Sequence, residues 1–262
     1  MNDQDRVVKE RYARTLRDRL PGVRDVIAAA AARSGRDPSA VRIVAVTKGH
    51  PVNAVLAVTE AGLRDLGENR VEELDNKMGF LGDIVVEDQD WAYPRDTRWH
   101  MIGHVQRRKA VLAARLASLI HSVDSLRLAE KLSRFGEKLG RKVLPPISVN
   151  QDRVPVLVQV NASGEATKGG FPVVEAVDAV GRIAELPGLR VQGLMTMAPF
   201  TGEEAVLRST FAKVREVMEA AAVLPGVEGC ELSMGMSNDY GLAVEEGSTM
   251  VRLGTTLLGP RP

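Results

Sequence analysis

From Val41 onward, apolar runs of strand length alternate with amphipathic helical stretches, and the alternation continues to the end of the chain. The apolar runs are Arg42–Thr47, Leu63–Gly67, Arg98–Ile102, Leu119–Val123, Val156–Val160, Val191–Met195, Gly229–Ser233 and Met250–Leu253. Helical periodicity fills the intervals at Val52–Ala61, Arg70–Met78, Arg107–Leu116, Leu126–Leu139, Val173–Leu186, Glu203–Ala222 and Asp239–Glu246. Strands alternating with helices imply a parallel sheet, and near-continuous apolar strands such as residues 156–160 suit a sheet covered on both faces. Eight such units favour closure into an α/β barrel, (β/α)8, over an open doubly wound sheet.

Ahead of the barrel, the chain to about Ser34 reads as a helix, with Val7, Tyr12, Leu16, Leu20, Val23 and Ile27 at three- and four-residue spacings. Pro21-Gly22 is expected to break or bend it. Gly79–Thr97 and Arg141–Arg153 interrupt the rhythm and read as surface insertions. The expected organisation is one domain over residues 1–262, with a helical segment at 1–40 and the barrel at 41–259.

Composition narrows the partners. With 35 basic and 34 acidic residues, the chain has no general pull toward nucleic acid or an anionic membrane, so Arg107-Arg108-Lys109 reads as a solvated helix face. Cys230 is the single cysteine, which excludes an internal disulfide and a cysteine-built metal site. The first twenty residues are charged throughout, and no apolar run approaches the roughly 20 residues a bilayer span requires. A reduced, cytoplasmic protein is expected.

In a barrel of this kind ligands sit at the C-terminal ends of the strands. The residues there are Lys48, Glu68-Asn69, Gly103-His104, Asp124-Ser125, Asn161, Met195-Thr196-Met197, Ser233-Met234 and Arg252–Thr255. Lys48 ends an apolar strand, where burial disfavours its charge and yields an amine able to form a Schiff base; the alternative is a snorkelling rim lysine. Residues 232–239 and 251–256 fall after the seventh and eighth runs, where barrels often bind phosphate. Ser233 and Ser237 offer hydroxyls there, and Gly235 and Gly254 permit close backbone approach. The helix beginning after Ser237 would turn its amides toward an anion, although Ser-Asn-Asp is also an ordinary helix cap. Arg252 lies inside an apolar strand and needs a carboxylate or a ligand acceptor. His50, His100, His104 and His121 have no ligand-like spacing, and structural roles are expected of them. Asn161, Ser163, Glu165 and Lys168 form a polar loop that could meet a second ligand or cap a helix.

Several motifs occur in a fixed order: Ala-Val-Thr-Lys (45–48), Gly-Glu-Asn-Arg (67–70), Trp-His-Met-Ile-Gly with Gln106 (99–106), His-Ser-Val-Asp (121–124), Val-Asn-Ala-Ser-Gly-Glu-Ala-Thr-Lys-Gly-Gly (160–170), Gly-Leu-Met-Thr-Met (193–197), Leu-Ser-Met-Gly-Met-Ser-Asn-Asp (232–239) and Val-Arg-Leu-Gly-Thr (251–255). Together they resemble the pyridoxal phosphate homeostasis protein family, relatives of the alanine racemase N-terminal barrel. The resemblance runs from about Val41 to Gly259. It implies that pyridoxal 5′-phosphate (PLP) is held as an internal aldimine on Lys48, with Arg252 at the pyridine nitrogen. Ser233, Ser237, Gly254 and Thr255 would hold the phosphate, Asn69 would lie near the ring and its 3-hydroxyl, and Met195 would pack beside the ring. Two departures concern rim and partner surfaces: Arg107-Arg108 where the family often has asparagine, and a longer stretch at 79–97.

The resemblance implies cofactor storage and delivery, with PLP-dependent apo-enzymes as recipients and a monomeric state. The alternative is an amino-acid racemase, which needs an acid/base group on each face of the substrate carbon. Alanine racemases draw one from a second domain, whereas this chain ends at Leu-Gly-Pro-Arg-Pro and its Tyr12, Tyr93 and Tyr240 have no recognisable equivalence. That favours the carrier, with residual racemisation left open. A third reading, a barrel isomerase or lyase of a sugar phosphate, would leave the protein colourless.

Overall fold

Strand pairing in the computed structural model, which describes residues 3–87, 94, 96–139, 152–165 and 167–262, is parallel throughout. In chain order the strands are β1 (Arg42–Val46), β2 (Asp65–Glu68), β3 (Arg98–Met101), β4 (Leu119–Val123), β5 (Val154–Asn161), β6 (Phe171–Pro172), β7 (Leu189–Met195), β8 (Val227–Ser233) and β9 (Met250–Leu253). All but β6 form a ring, β1-β2-β3-β4-β5-β7-β8-β9, which β9 closes on β1 with Arg42 opposite Met250. This is the (β/α)8 barrel the hydrophobic rhythm implies. β6 is an added two-residue pairing on the edge of β5.

Around the ring lie α2 (Val52–Glu60), α3 (Val71–Glu87), α4 (Ala110–Leu116), α5 (Leu126–Leu139), α6 (Val173–Ala184), α7 (Glu204–Ala221), α8 (Tyr240–Glu245) and α9 (Thr255–Leu258), with α1 (Asp3–Arg33) packed across α2, α8 and α9. Among the described residues, no helix is long and apolar enough to cross a membrane.

Two expectations need correcting. α1 is one helix through Pro21 rather than two, burying Tyr12, Leu16, Leu20, Val23 and Ile27 on one face. An interior proline costs about 3 kcal/mol, whereas each such side chain contributes roughly 1.5–3 kcal/mol on burial, so packing wins. The stretch Gly79–Thr97 is not an insertion from its start, because α3 continues through Glu87 with Met78 and Leu81 buried. Residues 88–93 and 95 lie outside the described residues, as does 140–151, which holds most of the second expected insertion.

The core has two parts. One lies between the strands and the surrounding helices, while Val44, Leu119, Leu157, Met195 and Met250 form a separate cluster contributed by β1, β4, β5, β7 and β9. Contact among side chains from strands around the whole ring places this cluster inside the barrel. It fills part of the interior, and in barrels of this kind ligands sit at the strand ends.

Candidate functional site at the barrel mouth

Lys48 follows β1 by two residues, one past the ladder bond from Thr47 N to Gly67 O. It is half-buried, and burial, followed by Arg261 and Arg252, lowers its pKa while Glu68 and Glu73 act the other way. Among the described residues its ammonium makes no hydrogen bond and no ion pair. The backbone on both sides of it is held. Lys77 Nζ donates to Thr47 O (2.8 Å), Glu68 Oε1 (2.6 Å) and Glu73 Oε1 (2.9 Å). Gly49 N donates to the same Glu73 oxygen at 2.5 Å, and Thr47 Oγ1 donates to Glu68 Oε1 at 2.5 Å. Burial raises the Glu68 carboxyl against the pull of Lys77, and its Oε2 is buried without a hydrogen-bond partner. This clamp was not legible in the sequence, where Glu68 was only a rim residue and Lys77 a position on a helix.

Arg252 stands on β9 in register with Val44 of β1 and is 5% exposed. Its Nη1 donates to Ser233 O and Ser233 Oγ, both at 2.7 Å, and its Nη2 to Thr196 O at 2.8 Å. No carboxylate lies within ion-pair distance among the described residues. Burial pushes its pKa down to about 10, so it stays charged at neutral pH. Of the two partners expected for this arginine, a carboxylate is absent among the described residues, its bonds going to two carbonyls and a hydroxyl; the other, a ligand acceptor, stays open.

The other expected residues divide by position. Gly254 lies against the end of β1, where a Cβ would stand 3.4 Å from Val46 O, and Thr255 opens α9 beside it. Ser237 Oγ accepts from Thr256 N at 3.3 Å, which joins the 232–239 loop to α9. Gly235 turns that loop at φ +94° with no room for a side chain, a Cβ meeting the Ala243 Cβ at 2.6 Å. Ser233 is fully buried, its hydroxyl held between His121 Nδ1 (2.8 Å) and Arg252. Met195 is inside the barrel with the apolar cluster. Asn69 is exposed on the rim, and Gly103 exists to admit it, since a Cβ there would lie 2.2 Å from the Asn69 carbonyl oxygen. Ahead of α8, Asp239 Oδ1 accepts from the loop amide Met236 N at 2.5 Å, and its side chain makes no capping bond to the helix's own amides.

Beneath Arg252 runs a buried polar row that sequence reasoning passed over as structural histidines. Asp65 Oδ1 faces His100 Nε2, His100 Nδ1 faces His121 Nε2, and His121 Nδ1 faces Ser233 Oγ, each at 2.8 Å. Burial raises Asp65, yet hydrogen bonds from His100 and Arg98 outweigh it and hold the carboxyl at about 2. Burial lowers both histidines, outweighing Asp65 at His100, so both rings are neutral in the fold. Unfolded rings titrate near 6.5, so below that pH the unfolded chain binds more protons than the folded one. The stability due to these neutral rings is complete above 6.5 and lost as pH falls, by up to two protons, or about 2.7 kcal/mol per pH unit. Urea unfolding should therefore show a lower midpoint at pH 5.5 than at 7.5, and His121→Phe should flatten the slope; an unchanged midpoint would show that the rings titrate freely.

Fold and mouth together define a barrel of the alanine racemase N-terminal domain class, and residues 24–262 match the family model of that description. More narrowly, the chain belongs to the pyridoxal phosphate homeostasis protein family. It is 36% identical over 247 residues to the pyridoxal phosphate homeostasis protein of Pseudomonas aeruginosa PAO1, covering 94% of this chain and 96% of that one. The protein of that name from Mycobacterium tuberculosis H37Rv is 36% identical over 251 residues, covering 92% and 91%. Among solved structures, PipY of Synechococcus elongatus PCC7942 with PLP bound aligns with a TM-score of 0.70 at 33% identity, covering 89% of this chain and all (100%) of that one. Alanine racemase from Corynebacterium glutamicum aligns over 96% of this chain and 62% of its own, with a TM-score of 0.63 at 14% identity, a likeness of fold alone.

Proposed function

We propose that this chain binds pyridoxal 5′-phosphate at the barrel mouth, attached covalently through Lys48, and serves intracellular PLP homeostasis as a monomeric cytoplasmic store and delivery protein for PLP-dependent apo-enzymes. The observation that carries this is the pairing of two adjacent strand ends: a half-buried amine at Lys48 and a buried guanidinium at Arg252, neither with a carboxylate partner among the described residues. The groups of PLP and those of the mouth are complementary. An amine of lowered pKa suits an aldehyde, a donor-only cation suits a ring nitrogen, and the hydroxyl and amide donors around Ser237, Gly254 and Thr255 suit a phosphate. Asn69 is placed for the ring edge, and Met195 closes the space beneath it. Ser233 contributes through Arg252, which it holds. The names of the curated relatives and the PLP-bound PipY structure support the same reading.

Bound PLP supplies an electrophilic carbonyl carbon and an aromatic ring able to withdraw electrons. Arg252 offers that ring only N–H donors and keeps its nitrogen unprotonated, which weakens electron withdrawal and favours holding over catalysis. The Lys77–Glu68–Glu73 clamp fixes the backbone that presents the Lys48 amine. Delivery is tested by mixing the loaded protein with an apo-form PLP enzyme and following recovery of its activity, alongside a racemisation assay on alanine and other amino acids. Recovery without racemisation is expected; racemisation without recovery would make the chain an enzyme.

A further inference from the structure

The polar row beneath Arg252 has a direction, and the direction follows from the end groups alone. Arg252 carries only donors, so Ser233 Oγ must accept at 2.7 Å. Asp65 is ionised and carries only acceptors, so His100 must donate its Nε2–H to it at 2.8 Å. A neutral His100 then has a bare Nδ1, which accepts from His121 Nε2–H; His121 in turn has a bare Nδ1, which accepts the Ser233 hydroxyl hydrogen. Every hydrogen points from the mouth toward Asp65. The reverse arrangement would set the lone pair of His100 Nε2 against the Asp65 carboxylate at 2.8 Å and would leave the serine hydrogen facing a guanidinium. Neither is tolerable in a dry interior.

The row also crosses the barrel. Asp65, His100 and His121 lie on the neighbouring strands β2, β3 and β4, whereas Ser233 and Arg252 lie on β8 and β9. The bond from Ser233 to His121 therefore spans the interior between strands that do not pair. At the far end Arg98 donates twice to Asp65, at 2.8 and 2.7 Å, and Arg42 lies 3.9 Å from it. Asp65, at the first position of β2, is thus fixed at the end of the barrel opposite the mouth.

We propose that Asp65, His100, His121 and Ser233 are positioning residues forming a one-way hydrogen-bond relay, which aims the Arg252 guanidinium at the mouth and compels it to meet its ligand as a donor. The ligand atom such a group selects is an unprotonated acceptor, in the first instance an aromatic ring nitrogen. This rests on the PLP reading for the ligand but not for the relay, which the protein's own residues form. Three neutral groups carry the polarisation of an ionised carboxylate to a buried cation that touches no carboxylate among the described residues. That explains how Arg252 tolerates burial and why two histidines lie inside the barrel beside an apolar cluster.

Nitrogen-15 NMR of the histidine rings in cofactor-free protein at pH 7.5 tests the relay directly. His100 and His121 should both be the neutral Nε2–H tautomer; an Nδ1–H tautomer or an imidazolium at either ring would overturn it. Ser233→Ala removes one hydroxyl and should return His121 to a mixture of tautomers, and Asp65→Asn should do the same to His100 from the opposite end. With PLP added, both variants should shift the absorption band of the bound cofactor and make it vary with pH, where the wild-type band does not. A purely structural role would lower stability and leave band and tautomers unchanged, which would refute the proposal. If Asp65→Asn does not fold, Ser233→Ala carries the same two readouts. If wild type binds no PLP, the ligand reading fails while the tautomers still judge the relay.

Discussion

Replacing Lys48 with alanine should leave a folded protein that no longer turns yellow with PLP and retains none of it after borohydride and denaturation. The two halves of this result have separate causes. Folding survives because the Lys48 ammonium is engaged in no hydrogen bond or ion pair among the described residues, so its loss should stay within about 1 kcal/mol. Attachment fails because no other lysine among the described residues shares its place: Lys77 is buried and spends its donors on Thr47, Glu68 and Glu73. Lys48→Arg should fail equally, since it keeps charge and length but offers no amine that can lose its proton. Thermal unfolding read beside absorbance separates the two halves; a Lys48→Ala protein that stays yellow and traps the cofactor would move the attachment elsewhere.

Arg252→Ala should do the opposite and damage fold and binding together. The substitution strips donors from Ser233 O, Ser233 Oγ and Thr196 O, all in the barrel interior, and leaves the far-off Asp65 charge without its opposite end. Leaving buried acceptors without their donor costs about 1–3 kcal/mol each. For a chain of this size each kcal/mol moves the midpoint by about 2–4 °C, so a fall on the order of 10 °C is expected. Arg252→Lys should recover little, because an ammonium cannot reach acceptors on two strands with the fork of a guanidinium. The decisive reading is calorimetry with and without PLP. Wild type should gain stability from the ligand and the variants should gain none; a variant stabilised as much as wild type would show that Arg252 does not touch it.

The barrel was legible because its signal is local. Strands buried on both faces stay apolar whatever they pair with, and β4 and α5 begin and end where periodicity places them. Lys48 and Arg252 were legible for the same reason, as charges inside or ending apolar runs. What the sequence hid is what long-range pairing creates. Asp65 and Arg252 are joined through residues on three other strands, and nothing in the local pattern tells a relay histidine from one filling space. Pro21 misled because a local rule about its missing N–H competes with the burial of a whole helix face, and burial is larger.

The central claim is that Lys48 anchors PLP. The direct measurement is to incubate the full chain with PLP, reduce with borohydride, digest, and locate the phosphopyridoxyl mass by peptide sequencing. One labelled peptide, modified at Lys48, is expected at a stoichiometry near one per chain. Labels spread over surface lysines, or a chain that stays colourless and carries no label, would contradict it.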